Sequence, residues 1–229
     1  MKAYVIALFN DQYSLTSART CVATARQMND DLHIEMVKAT VPGETIGWEY
    51  TYPLEGETKE SHGMSLVGYR SNNHRKIMAC SLSHLKLWDL CVEKDEPILI
   101  LGHDSIFTRK FRINKILNNL DDGDIMMIND PRGATRRGQM FHENIIKWDF
   151  GVHHVTGVNL PEEKNPDGLA GNSAYVITPM AAKQAADLQR QIGLWPNDAL
   201  LCKQFFPRQL KSYYPYITKT IQTKSTTTS

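Results

Sequence analysis

The chain has 229 residues and 41% hydrophobic content, enough for one sizeable α/β core. Twenty-six Lys and Arg stand against 25 Asp and Glu, and the resulting charge of +1 provides no overall field to recruit nucleic acid or an anionic membrane. Cys21, Cys80, Cys91 and Cys202 have neither CxxC nor zinc-finger spacing and read as buried thiols in a reducing compartment. Met1 to Phe9 is too short for a secretory signal and nowhere do about 18 apolar residues run together, so the expectation is a cytoplasmic protein without an integral membrane segment.

Tyr4 to Phe9 is an apolar run closed by Asn10-Asp11, which reads as a central parallel strand feeding a loop. Ser14 to Met28 has helical spacing, and Leu32 to Val37 alternates like a second strand, completing a βαβ unit. From Thr40 to Asn73 the pattern dissolves into Gly, Pro, Glu and Ser with aromatics at Trp48, Tyr50, Tyr52 and Tyr69; an irregular stretch of that length suggests a lid or acceptor loop. Asn73 to Glu93 is the clearest helix, with Ile77, Ser81, His84, Leu85, Trp88 and Cys91 on one face.

Pro97 to Leu101 is the next strand, closed by Gly102-His103-Asp104, and Phe107 to Leu120 reads as helical. Asp124 to Asn129 repeats the strand pattern and leads into a basic loop carrying Arg132, Arg136 and Arg137. Ala174 to Ile177 is a strand, followed by Thr178-Pro179 as helix start and an alanine-rich helix through Gln191. This alternation predicts an α/β fold with a mostly parallel sheet and helices on both faces, in one domain over 1–217. The Thr-, Ser- and Lys-rich segment 218–229 reads as a frayed tail.

Several blocks resemble those of glycosyltransferase family 25, the lipopolysaccharide and collagen-galactosyl type. Ala79-Cys80-Ser81-Leu82-Ser83-His84 is similar to the family's Gly-Cys-x-x-Ser-His helix, and Gly102-His103-Asp104 stands where the family usually has Glu-Asp-Asp. Gly123 to Ile128, Gly171 to Thr178 and Pro196-Asn197-Asp198 match later blocks, in the family's order. The resemblance implies a GT-A-like, single Rossmann-like domain that transfers a hexose, such as galactose, from a nucleotide diphosphate sugar, UDP-linked, to a glycan or protein acceptor. It also implies Mn²⁺ or Mg²⁺ at Asp104. Because Mn²⁺ accepts imidazole, His103 is a second metal candidate, while Gly102 can supply no ligand. Weakened metal binding, metal-independent catalysis and loss of catalysis all remain open, the last giving an inactive relative that acts as a glycan-binding or assembly protein.

Most of the remaining candidates have more than one reading. Asp198 orients or deprotonates the acceptor hydroxyl, or caps a short helix. His84 acts in catalysis, braces the Asp104 loop, or is a core histidine. Asn10 touches base or ribose, or merely turns the chain. Arg19 is the best remnant of the arginine-rich loop usual in the family after the first strand. Arg132, Arg136 and Arg137 grip a diphosphate or are solvated. Of His153 and His154, adjacent on a strand, at most one can face a single site. There is no GxxxxGK[ST], GxGxxG or GxSxG in the chain.

Overall fold

The computed structural model describes residues 1–29, 31–71, 73–132, 138–154, 166 and 172–221. The strands are β1 (Lys2–Ala7), β2 (His33–Lys38), β3 (Thr58–Ser61), β4 (Met64–Val67), β5 (Ile98–Gly102), β6 (Ser105–Phe107), β7 (Ile125–Met127), β8 (Gly151–His154), β9 (Ala174–Ile177), β10 (Leu210–Tyr214) and β11 (Thr218–Thr220). The α-helices are α1 (Gln12–Met28), α2 (His74–Lys94), α3 (Ile113–Leu117), α4 (Gly138–Ile145), α5 (Pro179–Ile192) and α6 (Asn197–Leu200).

A seven-stranded sheet in the order β2-β1-β5-β9-β7-β10-β8 forms the centre. Strands β2, β1, β5, β7 and β10 run in one direction, whereas β9 and β8 oppose their neighbours. The fold is therefore the expected α/β class with a mostly parallel sheet.

Strand periodicity sorts the two cores. Ala3, Val5, Leu99, Leu101, Met126, Ile128, Ala174 and Val176 are buried on the face shared with Ala18, Cys21 and Ala25 of α1. Tyr4, Ile98, Ile100, Ile125, Met127, Tyr175 and Ile177 are buried on the opposite face, against α2 and α5. With every central strand buried on both sides, the continuous apolar runs seen in the sequence follow directly.

Two expectations are corrected. Phe107 to Leu120 is not one helix: β6 ends at Phe107 and only Ile113–Leu117 is helical. Phe107 and Phe111, four apart, mimic helical spacing, but their rings stack at 5.5 Å on non-helical backbone. The expected tail begins too early, because Thr218–Thr220 pairs antiparallel with β6 and Thr218 is fully buried; residues 222–229 lie outside the described residues. The irregular 40–73 segment also has structure, a short β3–β4 hairpin whose Met64 and Leu66 are fully buried. The four cysteines are free thiols, three buried and Cys80 partly so.

At the sheet edge remote from Asp104, Lys211 Nζ meets Asp124 Oδ2 at 2.5 Å with both side chains over nine-tenths buried, and also donates to the Asn119 carbonyl at 3.1 Å. Removing one partner of such a pair leaves an uncompensated buried charge. Asp124→Ala is expected to lower unfolding free energy by about 3–5 kcal/mol in urea titration. Asp121→Ala, which removes the nearby exposed carboxylate, should change it by less than about 0.5 kcal/mol.

Candidate active site

Strand direction decides which loops can meet. The carboxyl ends of β1, β5 and β7 open onto one edge, and β9, running the other way, begins there, since Leu101 pairs with Ala174. Asn10, Gly102-His103-Asp104, Asn129-Asp130 and Asn172-Ser173 are thus gathered at the edge where open α/β sheets bind ligands.

The Asp104 turn is held from several sides. Gly102 N–H donates to the Ser173 carbonyl at 2.8 Å, and Ser105 Oγ–H donates to the same oxygen at 2.5 Å. Ile221 N–H donates to the Asp104 carbonyl at 2.9 Å, and Thr220 Oγ1 bonds Ser173 Oγ at 3.0 Å. A Cβ at residue 102 would lie 2.9 Å from Asp104 Oδ1, so glycine leaves the carboxylate its position against the backbone. Burial pushes the Asp104 carboxyl above its usual range, and the neighbouring His103 opposes that rise.

Asp198 lies at the start of α6. Tyr69 Oη donates to its Oδ1 at 2.9 Å across 129 residues of sequence. Burial raises its carboxyl, while the Tyr69 hydroxyl and the backbone N–H groups of Asp198 and Ala199 work against it. Asp198 is not the helix cap that its position suggested: α6 begins at Asn197 after Pro196, and Asp198 lies within its first turn. The two carboxylate regions are joined by Asn172, whose Nδ2 donates to the Asn197 carbonyl at 2.9 Å while its buried Oδ1 has no partner among the described residues. The thiol of Cys80 lies in the field of both: burial, Asp198 and Asp104 push it up to about 12.

Tyr50 completes this region and escaped the sequence reading as a site residue. Its Oη is buried without a partner among the described residues, its ring stacks on His74 at 5.7 Å, and burial followed by the Asp198 charge holds its hydroxyl protonated. The aromatic-rich loop signalled that some of its rings faced a site, but spacing alone gave no partner for Tyr50 or Tyr69.

Other candidates are placed elsewhere or otherwise engaged. His84 does not brace the Asp104 turn; its Nδ1 and Trp88 Nε1 both meet Tyr175 Oη, at 2.7 and 3.0 Å, deep in the core. With Trp88 donating to that oxygen, Tyr175 is free to donate to a neutral imidazole. Asn10 is exposed in the turn after β1, where Asp11 accepts from Ser14 N–H at 2.7 Å and caps α1. Arg19 is exposed on α1, about two turns past that cap.

Arg132 donates through Nε and Nη2 to Asp130, at 2.9 and 2.5 Å, and these bonds outweigh burial to hold Asp130 below the usual carboxylate range. An acid two residues before an arginine was a readable sign of this local pair. Arg136 and Arg137 lie outside the described residues. His153 donates through Nε2 to the Asp149 carbonyl and His154 through Nδ1 to that of Arg208, both histidines lying on edge strand β8.

The family model described as "Glycosyltransferase family 25 (LPS biosynthesis protein)" matches residues 68–201, more than half of the chain. The chain belongs to glycosyltransferase family 25. The family 25 match spans Tyr69, Cys80, His84, Asp104, Arg132 and Asp198, whereas Asn10, Arg19 and Tyr50 precede it. Among solved structures it is similar to galactosyltransferase LgtC in complex with donor and acceptor sugar analogs, at 10% identity over 93% of this chain and 73% of that one, with a TM-score of 0.48. It is similar also to mouse xyloside xylosyltransferase 1 in its apo form, at 10% identity over 92% and 84% of the two chains, with a TM-score of 0.45. No curated protein matches the sequence. Among the described residues no helix is long and apolar enough to cross a membrane.

The divalent cation implied for family 25 has a partial donor set here. Among the described residues no three His, Cys, Asp or Glu side chains gather. Mg²⁺-type ions are commonly held by one or two carboxylates with the remaining oxygens from substrate phosphate and water, and Asp104, half-buried with its carboxylate accommodated by Gly102, fits that pattern.

Burial pushes the His84 imidazole down to about 3. Its folded value is below the unfolded value near 6.5, so its contribution to stability is complete above about pH 6.5 and is lost as pH falls toward 3, by up to about 1.4 kcal/mol per unit. Denaturant titrations from pH 7 to 4 should show a shallower acid loss for His84→Gln than for wild type, alongside a lower stability at pH 7. Equal slopes would contradict the neutral buried imidazole.

Proposed function

We propose that this family 25 chain transfers a hexose from a nucleotide diphosphate donor, UDP-linked, to a hydroxyl of a glycan or protein acceptor, in a GT-A-like manner. The observation that carries the reading is the joining of two partly buried carboxylates at one sheet edge: the Asp104 turn is tied to Ser173, and adjacent Asn172 is tied to the Asp198 helix. Asp104 and His103 are the residues to hold Mn²⁺ or Mg²⁺ beside the diphosphate. When bound, such an ion spreads the charge that develops on the departing nucleotide.

Asp198 serves the acceptor. Its burial-raised carboxyl is a better proton acceptor than a solvated aspartate, and the Tyr69 hydrogen bond fixes its orientation. Tyr50, whose buried hydroxyl has no partner among the described residues and lies in the field of Asp198, stands ready to donate to that carboxylate on a small local shift. Cys80, held as the neutral thiol, contributes no nucleophile. A second reading, an inactive relative that binds glycan or assists assembly, rests on Gly102 standing where the family's acidic motif usually supplies a carboxylate.

The test is thermal stability and nucleotide release measured together with Mn²⁺ and a panel of UDP, GDP and CMP sugars. A UDP sugar should raise Tm and release UDP in a Mn²⁺-dependent way that Asp104→Ala abolishes. Failure of every nucleotide sugar to shift the melt, with or without metal, favours the inactive relative. Asp198→Asn should keep donor stabilisation while lowering transfer about 10²- to 10⁴-fold. Tyr69→Phe removes a bond that lowers the Asp198 pKa, so its acid limb of kcat should move to higher pH. An unmoved limb would exclude Asp198 as the titrating base.

A further inference from the structure

An open concavity of about 640 Å³ lies between the 47–51 segment and the carboxyl end of α5. Its floor is built by close backbone approach. Leu194 N–H donates to the Glu49 carbonyl at 2.7 Å, Tyr50 pairs with Leu194, and Gly193 has a φ of 84°. A Cβ at residue 193 would lie 2.7 Å from Thr51 Cγ2 and 3.0 Å from the Glu49 carbonyl. Glycine is thus required both by conformation and by the approach of the two segments. Thr51 Oγ1 lies in this wall, buried and without a partner among the described residues.

The lining has the chemistry of a sugar site. The half-buried Trp48 indole offers an apolar face, Glu49 an exposed carboxylate, and Gln191 an exposed amide. Aromatic faces take the C–H side of a pyranose, while carboxylate and amide oxygens accept from its hydroxyls. The lining cation, Arg190, donates through Nη2 to both carboxylate oxygens of Asp89 at 2.7 Å, and Lys59, whose Nζ donates to the Thr51 carbonyl at 3.3 Å, balances the Glu49 carboxylate in charge. With its charges of both signs matched, the cleft offers no net positive charge to sialic acids, uronic acids or phosphorylated sugars.

We propose that this cleft binds an uncharged hexose unit of the acceptor glycan, a subsite outside the position where transfer occurs. Gly193 and Asp198 are five residues apart, a span of at most about 18 Å, so one oligosaccharide of a few sugars can occupy both places. The aromatic segment 48–52 then has two roles: Tyr50 lies in the field of Asp198, while Trp48, Glu49 and Thr51 line the outer cleft. The assignment extends the glycan-acceptor reading, but it can be tested without donor or metal.

The experiment is a glycan array probed with the purified chain, followed by isothermal titration with each neutral oligosaccharide retained and with sialyllactose as the anionic control. Neutral glycans should be retained and sialyllactose should not. Glu49→Gln and Trp48→Ala should each weaken binding at least tenfold, whereas Asp121→Ala, an exposed position at the remote sheet edge, should leave it within about twofold. Glu49→Gln is the decisive variant if Trp48→Ala lowers Tm, because exposed Glu49 carries no core packing. Retention of anionic glycans alone, absence of any retained glycan, or binding left unchanged by Glu49→Gln would each overturn the cleft assignment. None of these outcomes bears on nucleotide release, which separately tests the transfer reading.

Discussion

The carbonyl of Ser173 is the constraint on which the candidate site depends. It receives the N–H of Gly102 and the hydroxyl of Ser105, one on each side of His103-Asp104, so a single oxygen fixes both ends of the acidic turn. That oxygen sits at the start of β9, the antiparallel insertion between β5 and β7. Reversing β9 places its first residues, rather than its last, at the ligand edge. The same short segment then reaches α6 through Asn172. Position, rather than acidity alone, makes Asp104 and Asp198 members of one region.

The opposite face of the sheet explains why this geometry can be rigid. Tyr175, the residue after Ala174 on β9, is fully buried and fastens α2 by its contacts with Trp88 and His84. A phenol, an indole and a neutral imidazole satisfy one another there without any charge being taken out of water. The helix carrying Cys80 is therefore held against the strand whose preceding residues organise Asp104. His84 is important to this arrangement through the core and not through contact with the acidic turn.

Much of the fold was legible because central strands buried on both sides leave unbroken apolar runs, as in Ile98 to Leu101 and Ala174 to Ile177, and because α2 and α5 carry a helical stripe. The short strands were not. Ser105-Ile106-Phe107 and Thr218-Lys219-Thr220 are three-residue segments that become strands by pairing with each other, 111 to 115 residues away in sequence, a pairing that no local pattern records. In the site, Asp104 and Asp198 could be picked out by resemblance, but Tyr69 could not be matched to Asp198 across 129 residues. Arg132 carries a partner that the loop's composition did not announce: its Nε and Nη2 donate to Asp130 two residues earlier.

The last described strand has a consequence in time. Thr220 bonds Ser173 and Ile221 bonds Asp104, so the acidic turn is braced by residues that leave the ribosome more than a hundred positions after it. Synthesis proceeds from the N-terminus, and β5 can pair with β1 long before Thr218–Thr220 exists. The sheet can therefore be substantially built while the acidic turn is still unfinished, and a nascent chain stalled before residue 218 would present a folded core with a loose acidic turn.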